Sequence, residues 1–343
     1  MNYNNTDVSP VENESYYKNL FCKEIKKRSL RRTLTSICIM LVAAYVFTYA
    51  FATVYYTVLG TLLAIYTPDD TAMSVIQKLS EMLVYTVQLV IPAFIYMLLC
   101  GQSIKSCFVL PEYDFQEKAG PARLLCYAGC AFAISCAMSG LSSVFTSVIG
   151  LPESAFDVPP PANIAEFLLG IISVAVLPAI IEEAVFRGLI LGRLLPFGKS
   201  FAICASAVFF ASVHGSAEQM IYSFVYGLLF AFIAVKTGSL KTGIIIHFLN
   251  NLYACCSEYA ETLITPEVFD LVNGVIYTAF IAAGLLSAVY LIGKNIINIP
   301  EENPQGTVGE LSVRETFASL VCPVMIVYYL FVLFETFSVY FGN

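Results

Sequence analysis

Residues 180–189 read IIEEAVFRGL, two adjacent glutamates and an arginine inside a stretch that is otherwise apolar. The chain's two histidines also fall in apolar runs, His214 in FFASVHG and His247 in IIIHFLNN. One helical turn after His247, on the same face, comes Asn251, with Asn250 as the neighbouring alternative. On a helix Glu183 and Arg187 stand four apart with the acid N-terminal, the favourable order for an ion pair, while Glu182 is turned about 100° away and has no local partner. Glu183 is then neutralised structurally and Glu182 is left to face something else. A carboxylate in a partly desolvated pocket is a candidate general base near neutrality. Glu182 with His214 would take a proton from a water that attacks a carbonyl. His247 and Asn251 would donate hydrogen bonds to the resulting oxyanion. Alternatively Glu182, His214 and His247 would hold one divalent ion, such as zinc, that does the same work.

Depth along the chain supports this grouping. Glu182 and His214 are equidistant from about residue 198, in the turn PFGKS, so an antiparallel hairpin sets them side by side. Glu182 lies five residues before Arg187 and His247 six after Lys241. Both are then roughly 8–9 Å from the inner charged boundary.

The elements that must position these groups are membrane spans. Of the 343 residues 58% are hydrophobic and 13% charged, and the mean hydropathy is +0.76, outside the range of soluble domains. Apolar runs long enough to cross about 30 Å of hydrocarbon recur throughout, which implies an all-α, polytopic transmembrane helical bundle of about eight or nine spans. The expected spans are 34–62, 82–100, 123–149, 165–186, 203–217, 219–235, 243–258, 268–293 and 316–340. Placing the N-terminus in the cytoplasm puts the N-terminal basic cluster, Lys105, Lys118, Arg123, Arg187, Arg193, Lys199, Lys236, Lys241, Lys294 and Arg314 inside, and only Lys78 outside. The outer loops carry acids and prolines instead, as in LPESAFDVPPP at 151–161.

Residues 1–32 are expected to form a disordered, basic cytoplasmic segment whose KEIKKRSLRR run anchors an uncleaved first span. Then follow N-terminal transmembrane helices (33–160), a catalytic core (161–260) and C-terminal transmembrane helices (261–343). Eleven cysteines scattered through apolar runs read as small packing residues. HExxH, GxGD and GxSxG are all missing, as is a phosphate loop, and a net charge of −7 gives no indication of nucleic-acid binding.

Three motifs in order, EEAVFR at 182–187, FASVH at 210–214 and HFLNN at 247–251, resemble the EExxxR, FxxxH and HxxxN pattern of the CPBP family. These are the CAAX-protease, bacteriocin-processing and abortive-infection group of intramembrane endopeptidases, and the likeness is to their Rce1-like type. The stretch YGLLFAFIAVKTGSLKTGIIIH before the last motif is also similar, and the likeness covers residues 165–256. The resemblance implies a metallo- or glutamate-type intramembrane protease with Glu182, His214, His247 and Asn251 catalytic and with Glu183, Arg187 and Phe210 in support. It implies no cofactor or one divalent metal ion. The substrate would be a membrane-embedded or lipidated peptide or protein, cleaved from the cytoplasmic side of the plasma membrane, with a bacterium the expected source. Two other readings fit the same residues: a catalytically silent scaffold or bacteriocin-immunity protein, and a proton-coupled transporter using Glu182, Glu183 and His214 as a relay.

Overall fold

The computed structural model describes residues 10–66, 68–112, 116, 118–149, 160, 161, 163–299 and 311–341. All regular structure among them is helical. The helices are α1 (Pro10–Ile65), α2 (Asp70–Leu99), α3 (Pro121–Ile149), α4 (Ile164–Phe197), α5 (Lys199–Ser212), α6 (Ala217–Thr237), α7 (Leu240–Glu261), α8 (Pro266–Gly293), α9 (Val313–Ala318) and α10 (Pro323–Phe341). Seven of them, α1, α2, α3, α4, α6, α8 and α10, are long and apolar enough to cross a bilayer. With Leu285, Leu286 and Val289 of α8 and Leu330, Leu333 and Phe334 of α10 exposed, these faces suit lipid and not water. The chain is an integral membrane protein of all-α, polytopic type.

All nine expected segments overlap helices, but three depart from a simple span. One, 316–340, begins in α9, passes through the turn Ser319–Val321 and an extended Cys322, and only then enters α10 at Pro323. The segment expected at 203–217 is α5, which ends at Ser212. Its 14 residues reach only about 21 Å, so the chain turns at residues 213–216 before α6 starts at Ala217. The third is α7, which is long enough at 22 residues but carries His247, two asparagines and two glutamates, and does not qualify as an apolar span.

The disordered segment expected at 1–32 is also corrected. Residues 1–9 lie outside the described residues, but α1 is one unbroken helix from Pro10. Lys, Arg and Glu are strong helix formers, and a helix nucleated by the apolar span extends at the gain of one bond per residue. Tertiary contact adds to this: Lys23 Nζ lies 2.8 Å and Lys27 Nζ 3.7 Å from the Glu315 carboxylate of α9. The Lys23 ammonium, helped by the Ser312 backbone N–H, holds the Glu315 carboxyl at about 2. Because its unfolded value is near 4.5, the pair contributes fully above that pH and is lost only as pH falls towards 2.

The core gathers around α4. Phe186, Leu189, Ile190, Leu191 and Leu194 pack against Phe201, Ala205 and Phe209 of α5 and Ala231, Ala234 and Val235 of α6. The short turn Ile104–Cys107 after α2 is pressed onto the same helix. A Cβ at Gly188 would lie 1.9 Å from the Cys107 carbonyl oxygen, so only glycine lets the two backbones approach this closely. Gly188→Ala is therefore expected to cost about 1–3 kcal/mol through overpacking, read as a lower thermal midpoint in detergent. A midpoint equal to that of the parent would show that the 104–107 turn moves aside freely.

Candidate active site

The local helix at the glutamates is not the regular α-helix the spacing suggests. Within α4, residues Ile171–Val176 and Glu183–Leu191 are π-helical, separated by an α-helical turn, Leu177–Glu182. Such stretches mismatch the backbone ladder and are tolerated at membrane depth only where neighbours supply partners. Neighbours do so here. Ser206 of α5 donates to the Phe186 carbonyl at 2.9 Å, and Asn251 of α7 donates to the Val174 carbonyl at 2.8 Å. Glu182 is the last α-helical residue and Glu183 the first π-helical one, so the change of pitch falls between the two carboxylates and helps to splay them.

The expected pair forms. Arg187 Nη1 is 3.1 Å from Glu183 Oε1, and both side chains are 0% exposed. Among the described residues the guanidinium nitrogens make no well-angled hydrogen bond. The charge is met instead by the ion pair and by two aromatic faces, with Cζ 4.0 Å from the Phe210 ring centre and 5.3 Å from that of Phe230. Phe210 of the second motif is thus a lid on the arginine.

His247 joins the two glutamates. Its Nδ1 lies 3.3 Å from Glu183 Oε1, the oxygen that also meets Arg187, and its Nε2 lies 3.8 Å from Glu182 Oε2. The ring stacks on Phe230 at 5.1 Å. Gly243, one turn earlier, makes room for this: a Cβ there would come within 3.0 Å of Glu183 Oε2. The other oxygen of Glu182 accepts a 2.8 Å hydrogen bond from the Tyr85 hydroxyl of α2. Sequence reasoning missed Tyr85, since one tyrosine among 21 in an apolar chain carries no local signal. It missed Phe230, one phenylalanine among 26, for the same reason.

His214 sits in the turn after α5, half-buried and within electrostatic reach of Glu182. Its ring is 4.9 Å from that of Phe210, edge to face. Nδ1 faces the Phe210 carbonyl at 2.8 Å, and because a carbonyl only accepts, the hydrogen must be on Nδ1, leaving the Nε2 lone pair of the neutral ring free. Asn251 is less available than expected. Its amide nitrogen spends one hydrogen on Val174 and its oxygen accepts from Asn250 at 3.3 Å. One amide hydrogen remains. Asn250 itself is committed to packing, between Tyr226 at 2.7 Å and Tyr222 at 3.0 Å.

The metal set expected of Glu182, His214 and His247 does not form. Among the described residues no three His, Cys, Asp or Glu side chains are placed to share an ion. Tyr85 holds one oxygen of Glu182, and His247 Nε2 stands 3.8 Å from the other.

A cavity of about 530 Å³ adjoins the layer, with Tyr85, Ser173, Val174, Lys78, Glu166 and Glu258 in its wall. It lies at the end of the α6–α7 hairpin that holds Gln219 and Glu258. A second cavity, of about 640 Å³, lies at the opposite end, among Thr237, Ser239, Lys241 and Thr242. The void in contact with the Glu182 hydrogen bond is therefore the one away from the basic α6–α7 turn, whereas the sequence suggested access from the basic side.

Residues 164–253 match the family model described as Rce1-like, type II CAAX prenyl endopeptidase. Neither a curated protein nor a solved structure matches the chain. The match starts with α4 and ends within α7, so it spans all three motifs and leaves Tyr85 outside. Breaking the buried pair in this segment should be severe: Arg187→Met is expected to cost about 3–5 kcal/mol by stranding Glu183. Glu183→Leu combined with Arg187→Met should recover much of the loss in the same thermal melt. A double variant no more stable than the single one would show that uncompensated charge is not the cause.

Proposed function

Residues 164–253 being an Rce1-like domain within an integral membrane protein, we propose that this chain is an intramembrane endopeptidase of the CAAX type. It hydrolyses a peptide bond of a membrane-embedded or lipidated substrate by a glutamate-type mechanism. The observation that carries the reading is Glu182, 7% exposed, with one oxygen turned towards the His247 imidazole and the other held by Tyr85, which stands in the wall of a cavity.

Water attacks the scissile carbonyl from between Glu182 Oε2 and the free Nε2 of His214. Either group accepts the proton as the C–O bond forms. The tetrahedral oxyanion then accepts hydrogen bonds from His247 and from the remaining amide hydrogen of Asn251. For this donation His247 carries a proton on both ring nitrogens, Nδ1 towards Glu183 and Nε2 towards the oxyanion. The abstracted proton passes to the leaving nitrogen as the C–N bond breaks, which releases a carboxylate and an amine. Glu183 and Arg187 hold His247 in register and take no part in the proton transfers. We assign the site to the plasma membrane of a bacterium, with residues 161–260 as the catalytic unit.

The polar wall of the 530 Å³ cavity favours a second reading, a proton-coupled transporter whose relay leaves Glu182 through Tyr85. One assay divides the two. Full-length protein in liposomes is given a quenched fluorescent prenylated CAAX peptide. Glu182→Gln should lower kcat by about 10²–10⁴, the usual worth of a general base, with the fold intact. Tyr85→Phe, which removes a hydrogen bond to a charged group worth about 1.5–3 kcal/mol, should lower kcat less. Cleavage unaffected by Glu182→Gln defeats the assignment of the base, and loss of proton flux without any cleavage supports the transporter. Saturating chelator should leave cleavage unchanged; a loss restored by zinc would return the metal to the mechanism.

A further inference from the structure

The turn that carries His214 lies between a helix too short to cross the bilayer and the next one, so its backbone ends need partners where water is scarce. Those partners come from outside residues 164–253. The Tyr45 hydroxyl of α1 donates to the Ser212 carbonyl at 3.0 Å. The Tyr328 hydroxyl of α10 lies 2.6 Å from Ser212 Oγ, and since Ser212 gives its only hydrogen to the Phe209 carbonyl, Tyr328 is the donor. On the far side of the turn the Ala217 N–H donates to the Tyr340 hydroxyl at 3.0 Å, and Tyr340 in turn donates to Glu218. Both edges of residues 213–216 are thus fastened to α10, and one of them also to α1.

The two outer helices are also fastened to each other. Cys38 and Met325 approach to 3.5 Å, the Tyr45 and Phe331 rings meet edge to face at 5.4 Å, and Tyr49 donates to Glu335 at 2.7 Å. We infer that α1 and α10 form a hydroxyl bracket in which Tyr45, Tyr328 and Tyr340 act as positioning residues for His214. The inference deepens the proposed reaction and rests on that reading only where activity is measured. It gives a role to segments that lie far apart in sequence and beyond the matched domain. None of the three tyrosines touches substrate; each acts through the backbone or hydroxyl of the turn, which sets where Nε2 of His214 points.

The chain's having two histidines makes the test clean. Full-length protein carrying 13C-labelled histidine in nanodiscs gives two ring signals, assigned by His247→Gln. Tyr328→Phe and Tyr45→Phe should each shift the His214 signal and leave that of His247 in place. With a CAAX peptide as probe, kcat should fall about 10-fold to 100-fold, the penalty of a small misplacement, while KM stays within about twofold of the parent. Tyr49→Phe is the control, since it loosens the same α1–α10 contact without touching the turn, and it should move neither signal. A His214 signal indifferent to Tyr328→Phe and Tyr45→Phe overturns the bracket. So does an equal shift from Tyr49→Phe, which would mean general loosening. If a phenylalanine variant fails to fold, Tyr340→Phe at the other edge is read in the same way. Because the ring signals need no turnover, failure of the bracket and failure of the protease reading are separate results.

Discussion

A guanidinium wholly buried among other side chains is the constraint from which most of this site follows. Arg187 and Glu183 are both wholly buried, and in a low-dielectric interior neither charge is tolerable without the other. Their pairing dictates what surrounds them. Two phenylalanines cover the arginine because ring faces answer a cation without needing water. A glycine on α7 leaves space for the carboxylate, and the shared oxygen of Glu183 draws in Nδ1 of His247. Once His247 is fixed, its second nitrogen faces Glu182. The supporting pair thus orients one imidazole and leaves the neighbouring carboxylate between Tyr85 and that ring.

Backbone satisfaction is the second constraint, and it ties the site to the rest of the bundle. The π-helical stretches of α4 and the turn at 213–216 both interrupt regular helix bonding inside the bundle. Each is repaired by side chains from other helices: Ser206 and Asn251 for α4, and three tyrosines for the turn. Asn251 shows how the two constraints meet. Its place one turn after His247 suits an oxyanion donor, yet one of its hydrogens already stabilises the irregular helix that carries the glutamates. Replacing it would therefore disturb structure and chemistry together.

The amino-acid sequence alone determined the helical membrane class, the apolar segments that become the long helices, the Glu183–Arg187 pair and the convergence of three motifs on one layer. Each of these depends on hydropathy over a window or on spacing within one helix, quantities that are local to the chain. It was misleading where regular helix was assumed, at the π-helical change of pitch between Glu182 and Glu183 and at α5, which stops at Ser212, and where disorder was assumed, at residues 10–32, which continue α1. Only the tertiary structure decided that Tyr85 caps Glu182, that His247 spans both glutamates, that the metal set does not assemble and that the adjoining cavity lies away from the basic turn. Those outcomes depend on how far each helix is rotated and how closely it approaches the next. Packing between segments distant in sequence sets both, and no periodicity within a single segment records them.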